Sequence, residues 1–188
     1  MIEMRFTILI FFFTMLISEN IYKEPSFTLL EKSNNIEIRQ YNEYIVARTA
    51  VPLSERTSEN NMFRVLASYI FGKNQKQQQI PMTAPVTTFK NNESYDMLFY
   101  MLNTDDIENL PKPINQNISF EKINLDKCVS ISFSWFTNDF KIKQYERKLK
   151  RFLKNNGYTQ ISPFMLNRYD SPWTFPWNRR NEILVKIK

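Results

Sequence analysis

The feature that most restricts this chain is an order of elements that occurs twice. "NIEIRQY" (35–41) and "EYIVARTAV" (43–51) have the apolar and β-branched alternation of two strands, separated by a short turn at Asn42. From Ser54 to Phe71 the period changes. Phe63, Leu66, Ala67 and Ile70 fall at i, i+3, i+4 and i+7, which predicts a helix stopped by Gly72, one of only two glycines. "KNQKQQQ" is then a polar loop, followed by "IPMTAPVTTF" and "YDMLFYML". Pro81 and Pro85 cannot donate to a ladder, so the first of these is expected at an edge, at a bulge or entering the sheet obliquely. The second reads as an ordinary strand.

After a surface connection from Thr104 to Asn117 the order returns. Segments 117–123 and 128–136 read as strands, and in the latter Val129, Ile131, Phe133 and Trp135 alternate with Ser130, Ser132 and Ser134, giving one buried and one polar face. A helix is expected from Asp139 to Asn156, with Ile142, Tyr145, Leu149 and Phe152 as its buried stripe and Gly157 as its stop. "ISPFMLNRY" and "NEILVKIK" supply closing strands. A recurrence of roughly 80 residues is too long for a solenoid. It predicts a pseudo-twofold α+β domain, a distorted antiparallel β-barrel or curved sheet flanked by two helices. With 188 residues, 43% hydrophobic and 15% aromatic, one domain with a full core is expected, spanning residues 24–188.

Residues 1–20 stand apart. Arg5 precedes twelve mostly apolar residues, Phe6 to Ile17, a run too short for a span of about 20 residues and suited to a signal peptide. Ser18-Glu19-Asn20 lacks a small-x-small cleavage pattern, so an uncleaved membrane tether is the alternative. Export, periplasmic or secreted, is the expectation.

The chain has no histidine and one cysteine, Cys128. It therefore lacks the commonest general base, zinc ligand and haem ligand, and can form neither an internal disulfide nor a multi-cysteine metal site. Thr83, between two prolines, has no base to activate it. Glu37, Glu43, Asp96 and Glu182 fall in separate elements and form no recognisable catalytic pair. Neither a catalytic residue nor a metal site is expected. Between Asp139 and Lys154, seven lysines and arginines face two acids, Asp139 and Glu146. This is either a solvated helix face or a contact for acidic lipid or another anionic partner, and no nucleic-acid motif accompanies it.

"IEIRQYNEYIVARTAV", "FRVLASYIFGKNQKQQQIPMTAPV" and "YDSPWTFPWNRRNEILV" together resemble the signature regions of the SOUL haem-binding protein family, from about Glu24 to Lys188. The resemblance implies binding of haem or another tetrapyrrole without catalysis; a monomer is expected. Its implied contacts are Met62, Phe63, Leu66, Ala67, Ile70 and Phe71 on the first helix, and Trp173, Phe175, Trp177, Arg179 and Arg180 near the C-terminus. On the helix, the stripe puts Phe63, Leu66 and Ile70 in the core and leaves Met62, Ala67 and Phe71 for ligand. In "SPWTFPWNRRNE", Pro172 and Pro176 restrict the backbone around the tryptophans, and either arginine could take a carboxylate bidentately. A structural plug, with Arg180 paired locally to Glu182, is the competing reading. Axial ligation is left to Met62, Tyr69, Met82 or Cys128, and no strong protein ligand is expected. Two other functions fit the sequence: an effector-binding module for flat amphipathic molecules, and an envelope protein using its basic helix.

Overall fold

The structure, a computed structural model, describes residues 22–55 and 59–188. The expected leader, residues 1–20, lies outside the described residues. The strands are β1 (Phe27–Ser33), β2 (Ile36–Tyr41), β3 (Glu43–Pro52), β4 (Val86–Lys90), β5 (Ser94–Tyr100), β6 (Ser119–Asn124), β7 (Lys127–Phe133), β8 (Met165–Arg168) and β9 (Asn181–Lys186). The helices are α1 (Glu59–Ile70), between β3 and β4, and α2 (Asp139–Asn155), between β7 and β8. Among the described residues no helix is long and apolar enough to cross a membrane.

All nine strands join one antiparallel sheet in the order β1-β2-β7-β9-β8-β4-β5-β3-β6. From β2 to β6 this order is symmetric about the β8–β4 pair, so the expected duplication is present as a curled α+β sheet with two helices. At its ends the connections exchange. β2 and β3 are joined through Asn42 yet do not pair: β2 lies on β7 and β3 on β6. β6 runs into β7 by the matching crossover, and the two crossovers meet where Tyr41 N–H donates to Asp126 O at 2.9 Å.

Each helix covers its own half. Met62, Leu66 and Ile70 of α1 pack on Ile45 and Ala47 of β3 and Met97 and Phe99 of β5. Leu149 and Leu153 of α2 pack on Val129 and Ile131 of β7 and Ile183 and Val185 of β9. Burying each such leucine contributes about 2 kcal/mol. A third cluster, including Tyr41, Val46, Tyr100, Cys128 and Leu184, draws on both halves and lies on the sheet's other face, inside the curl. α2 starts where Asn138 accepts the Lys141 N–H at 2.9 Å, and Gly72 (φ 103°) and Gly157 (φ 73°) end the helices in the left-handed region.

Three points go beyond the sequence reading. Of the alternatives for the proline segment the edge is excluded: β4 is an interior strand between β8 and β5, and both prolines fall in its irregular approach, residues 80–85. The serine face of β7 is polar but points inward, with Ser130 fully buried and its hydroxyl lacking a hydrogen bond among the described residues. β1, absent from the sequence-based reading, adds an edge strand whose seven side chains are all exposed.

Candidate ligand groove and aromatic loop

The first helix has two apolar stripes. Met62, Leu66 and Ile70 turn inward, at 2%, 0% and 1% exposure. On the opposite side Asn60, Phe63, Arg64, Ala67, Ser68 and Phe71 recur at i, i+3, i+4, i+7, i+8 and i+11 and line an open groove of about 590 Å³ that ends at Lys73. This exchanges the roles expected for Met62 and Phe63. Met62 is core; Phe63 is exposed on the groove, its ring 5.4 Å from Phe99 beneath it. Ala67 and Ser68 make a low floor between Phe63 and Phe71, which stand about 12 Å apart along the axis. Neither Arg64 nor Lys73 makes an ion pair among the described residues.

The groove brings together Phe63, Ala67 and Phe71 from the expected set, and no residue of the C-terminal loop lines it. That loop packs on the β7–α2 corner instead. Trp135 N–H donates to Pro176 O at 2.8 Å, the Trp135 and Trp177 rings meet edge-on at 6.5 Å, and Phe175 stacks on Trp177 at 4.9 Å. Trp173 is 92% exposed. Both arginines are engaged. Arg179 donates to the carbonyls of Thr174 (2.9 Å) and Pro172 (2.6 Å) and lies 4.9 Å from the Phe136 ring. Arg180 pairs with Glu24 at 2.5 Å rather than with Glu182, and stacks on Tyr169 at 3.5 Å.

Of the conceivable iron ligands, Met62, Tyr69 and Cys128 are buried. Tyr69 donates its hydroxyl to Pro111 O at 2.9 Å, and burial pushes its pKa up to about 12. Burial likewise pushes the Cys128 thiol up to about 12. Met82 packs at the edge of the α1 core. Thr83 donates to Tyr100 O at 2.7 Å inside the fold, a structural role.

Glu182, offered in the sequence reading only a local pairing with Arg180, belongs to the most buried ion network. Arg39 sends two hydrogen bonds to it, at 2.7 and 3.0 Å, another to Glu37 at 2.8 Å and a fourth to the Tyr41 hydroxyl at 3.0 Å. The Tyr169 hydroxyl donates to Glu182 at 2.9 Å. Phe27 covers the guanidinium at 4.3 Å. The cluster is held by sheet register across 143 residues of sequence.

A second concavity, about 660 Å³, lies between the helices over β4 and β8. Val51, Leu53 and Tyr95 wall one side, Ile142 and Phe164 the other, with Glu59, Glu146, Lys90 and Lys150 among its charges. Arg168 bridges Glu59 (2.9 Å), Thr88 (3.3 Å) and Thr137 (3.0 Å) at its end. The Tyr95 hydroxyl donates to Glu59, and burial followed by that carboxylate pushes its pKa up to about 12.

A duplicated sheet with one helix per half and concavities on the helix side defines a duplicated α+β domain of the curled-sheet type. The chain matches the SOUL heme-binding protein family over residues 22–186, and it belongs to that family. A search of curated proteins finds no significant match. Among solved structures it is similar to the C-terminal domain of EcmrR (14% identity, TM-score 0.63, 81% of this chain and 96% of that one). It is also similar to a Listeria innocua protein described as a hydrolase (7%, 0.57, 85% and 94%) and to an uncharacterized conserved protein of the same organism (6%, 0.58, 82% and 92%). At these identities the likeness is one of fold.

Proposed function

We propose that the chain binds haem or a related tetrapyrrole non-covalently along the outer face of α1, as a carrier, buffer or scavenger, and catalyses no reaction. The observation that carries this reading is the exposed pair Phe63 and Phe71, with the nearly buried Ala67 as the floor between them, beside Arg64 and Lys73, neither of which makes an ion pair among the described residues. A tetrapyrrole is a flat apolar disc with carboxylates on one edge, and it fits a low floor between aromatic stops with cations beside it. The groove residues offer no imidazole, thiolate or thioether. Affinity then rests on apolar contact and carboxylate pairing, with little dependence on the metal. In the same reading the chain is exported, and sequencing the N-terminus of the exported protein distinguishes a cleaved leader from a retained tether.

The test is a haemin titration of the full chain followed at the Soret band, with Ala67→Glu and Phe71→Ala alongside. Saturable one-to-one binding, weakened at least about tenfold by Ala67→Glu, supports the site, since a carboxylate would occupy the floor and repel the disc. Binding that ignores both substitutions refutes it. A second reading, an effector-type module for other flat amphipathic molecules, is favoured by the cleft between the helices, the larger of the two concavities. It requires binding to fall in Phe164→Ala while Ala67→Glu leaves it intact.

A further inference from the structure

We propose that the aromatic loop and the outer face of α2 form one surface that docks on anionic lipid membranes. Six of the fourteen exposed large apolar side chains among the described residues collect here: Trp135, Phe136, Phe140, Trp173, Phe175 and Trp177, each more than half exposed. Scattered apolar residues on a surface need no explanation; a cluster of six aromatics does. Pro172 and Pro176 restrict the backbone beside the three loop aromatics. The carbonyl grips of Arg179 and the Trp135–Pro176 hydrogen bond tie the loop down. Little conformational entropy is therefore left to lose when it meets a partner.

Trp135 adds a conformational argument. Its φ is 78°, the left-handed region, which costs a bulky residue. Both its main-chain groups are held there, the N–H by Pro176 O at 2.8 Å and the carbonyl by the Asn181 side chain at 3.0 Å. The result is an indole more than half exposed and set against Trp177. Backbone strain maintained to expose an apolar side chain points to a use for it.

The cations supply the second half. Phe140 opens α2, and Arg147, Arg151 and Lys154 follow at i+7, i+11 and i+14, on the side of the helix away from Leu149 and Leu153. None of these three makes an ion pair among the described residues. The helix's two acids, Asp139 and Glu146, line the cleft between the helices together with Lys143, which leaves no acid among the three cations of the stripe. Interfacial tryptophan and phenylalanine beside unpaired lysine and arginine is the chemistry of a peripheral membrane contact, where aromatics enter the headgroup layer and cations meet anionic lipid. Single-stranded nucleic acid also takes aromatics and cations, through bases lying on open rings. Phe175 and Trp177 instead cover each other, 8° from parallel, which favours the lipid surface.

All three tryptophans of the chain, Trp135, Trp173 and Trp177, lie in this surface, so intrinsic emission of the full chain reports it alone, whatever residues 1–20 do. Vesicles of phosphatidylcholine, with and without phosphatidylglycerol, are titrated into the wild type, into Arg147→Gln/Arg151→Gln and into Phe140→Ala. The expected result is a blue shift, quenched by brominated acyl chains, on the anionic vesicles, with partitioning roughly 30-fold weaker in the double variant. Phe140→Ala weakens it further without altering its salt dependence. No emission change on anionic vesicles, or one indifferent to the double substitution, overturns the proposal. So does capture of a labelled oligonucleotide that needs Arg147 and Arg151 while vesicles leave emission unchanged, which reassigns the surface to nucleic acid.

Discussion

Replacing Arg39 with methionine tests whether the buried network inside the curl ties β2 to β9 across β7. The guanidinium is 4% exposed and makes four side-chain hydrogen bonds, two of them to a Glu182 carboxylate that is nearly as buried. Methionine fills much of the same volume but leaves Glu182 with only the hydroxyls of Tyr169, at 2.9 Å, and Ser132, at 3.4 Å. Glu37 keeps Lys32 at 2.9 Å and is less affected. Breaking a buried pair from one side costs about 3–5 kcal/mol, a large part of a total near 5–15 kcal/mol. In urea unfolding at neutral pH the midpoint should fall accordingly with the slope unchanged. Arg39→Met/Glu182→Leu, which removes both charges, should recover at least half of that loss, because an apolar pair of similar volume carries no stranded charge. A cost under about 1 kcal/mol for the single change, or a double change costing the sum of the singles, would refute the reasoning.

The same network fails in acid. Burial pushes the Glu37 carboxyl up, but hydrogen bonds and charge from Lys32 and Arg39 outweigh burial and hold it below its ordinary 4.5. Its contribution is full above that unfolded value and is lost as pH falls through the lower folded one, so wild type should lose more stability in this window than Glu37→Gln does. Cys128, the sole cysteine, has its thiol pushed to about 12 by burial. Ellman's reagent near pH 8 should label it at least about a thousandfold more slowly than a free thiol, and at the ordinary rate once urea unfolds the chain. Prompt native labelling would place Cys128 outside the core.

The sequence patterns revealed the elements and their duplication better than their neighbours. β3, β5, β7, β9 and both helices were legible because each repeats apolar residues at the period of its structure. β1 was not: "FTLLEKS" pairs with β2 alone and buries nothing, so it carries no periodic signal. The interior place of β4 depends on its partners β5 and β8, and prolines upstream of a strand say nothing about those. Phe63 and Met62 exchanged roles because α1 is apolar on two sides, and a period identifies a stripe without saying which stripe meets the sheet. The Arg39–Glu182 pair bridges β2 and β9 across β7, a relation created by register. The loop was visible as an exceptional stretch, but its packing against Trp135 and Phe136 depends on where β7 ends.

The two halves repeat what they bury and diverge in what they expose. Inward, α1 and α2 each present aliphatic side chains to a pair of strands, β3 and β5 or β7 and β9, and a loss there costs kilocalories. Outward, changes cost little stability, typically within about 0.5 kcal/mol, so a duplicated scaffold can differentiate there without endangering its core. One helix carries an apolar stripe beside Arg64 and Lys73, which make no ion pair among the described residues, and the other a cationic stripe that begins at an aromatic, Phe140. The contrast argues against reading α1 and the C-terminal loop as two walls of one site. They belong to different halves, share no lining residue and differ in what they leave exposed: the groove has an apolar floor, and α2 has a row of cations. Taken together, the two proposals place an apolar disc on one half while the other rests on lipid, the phase into which such a disc partitions.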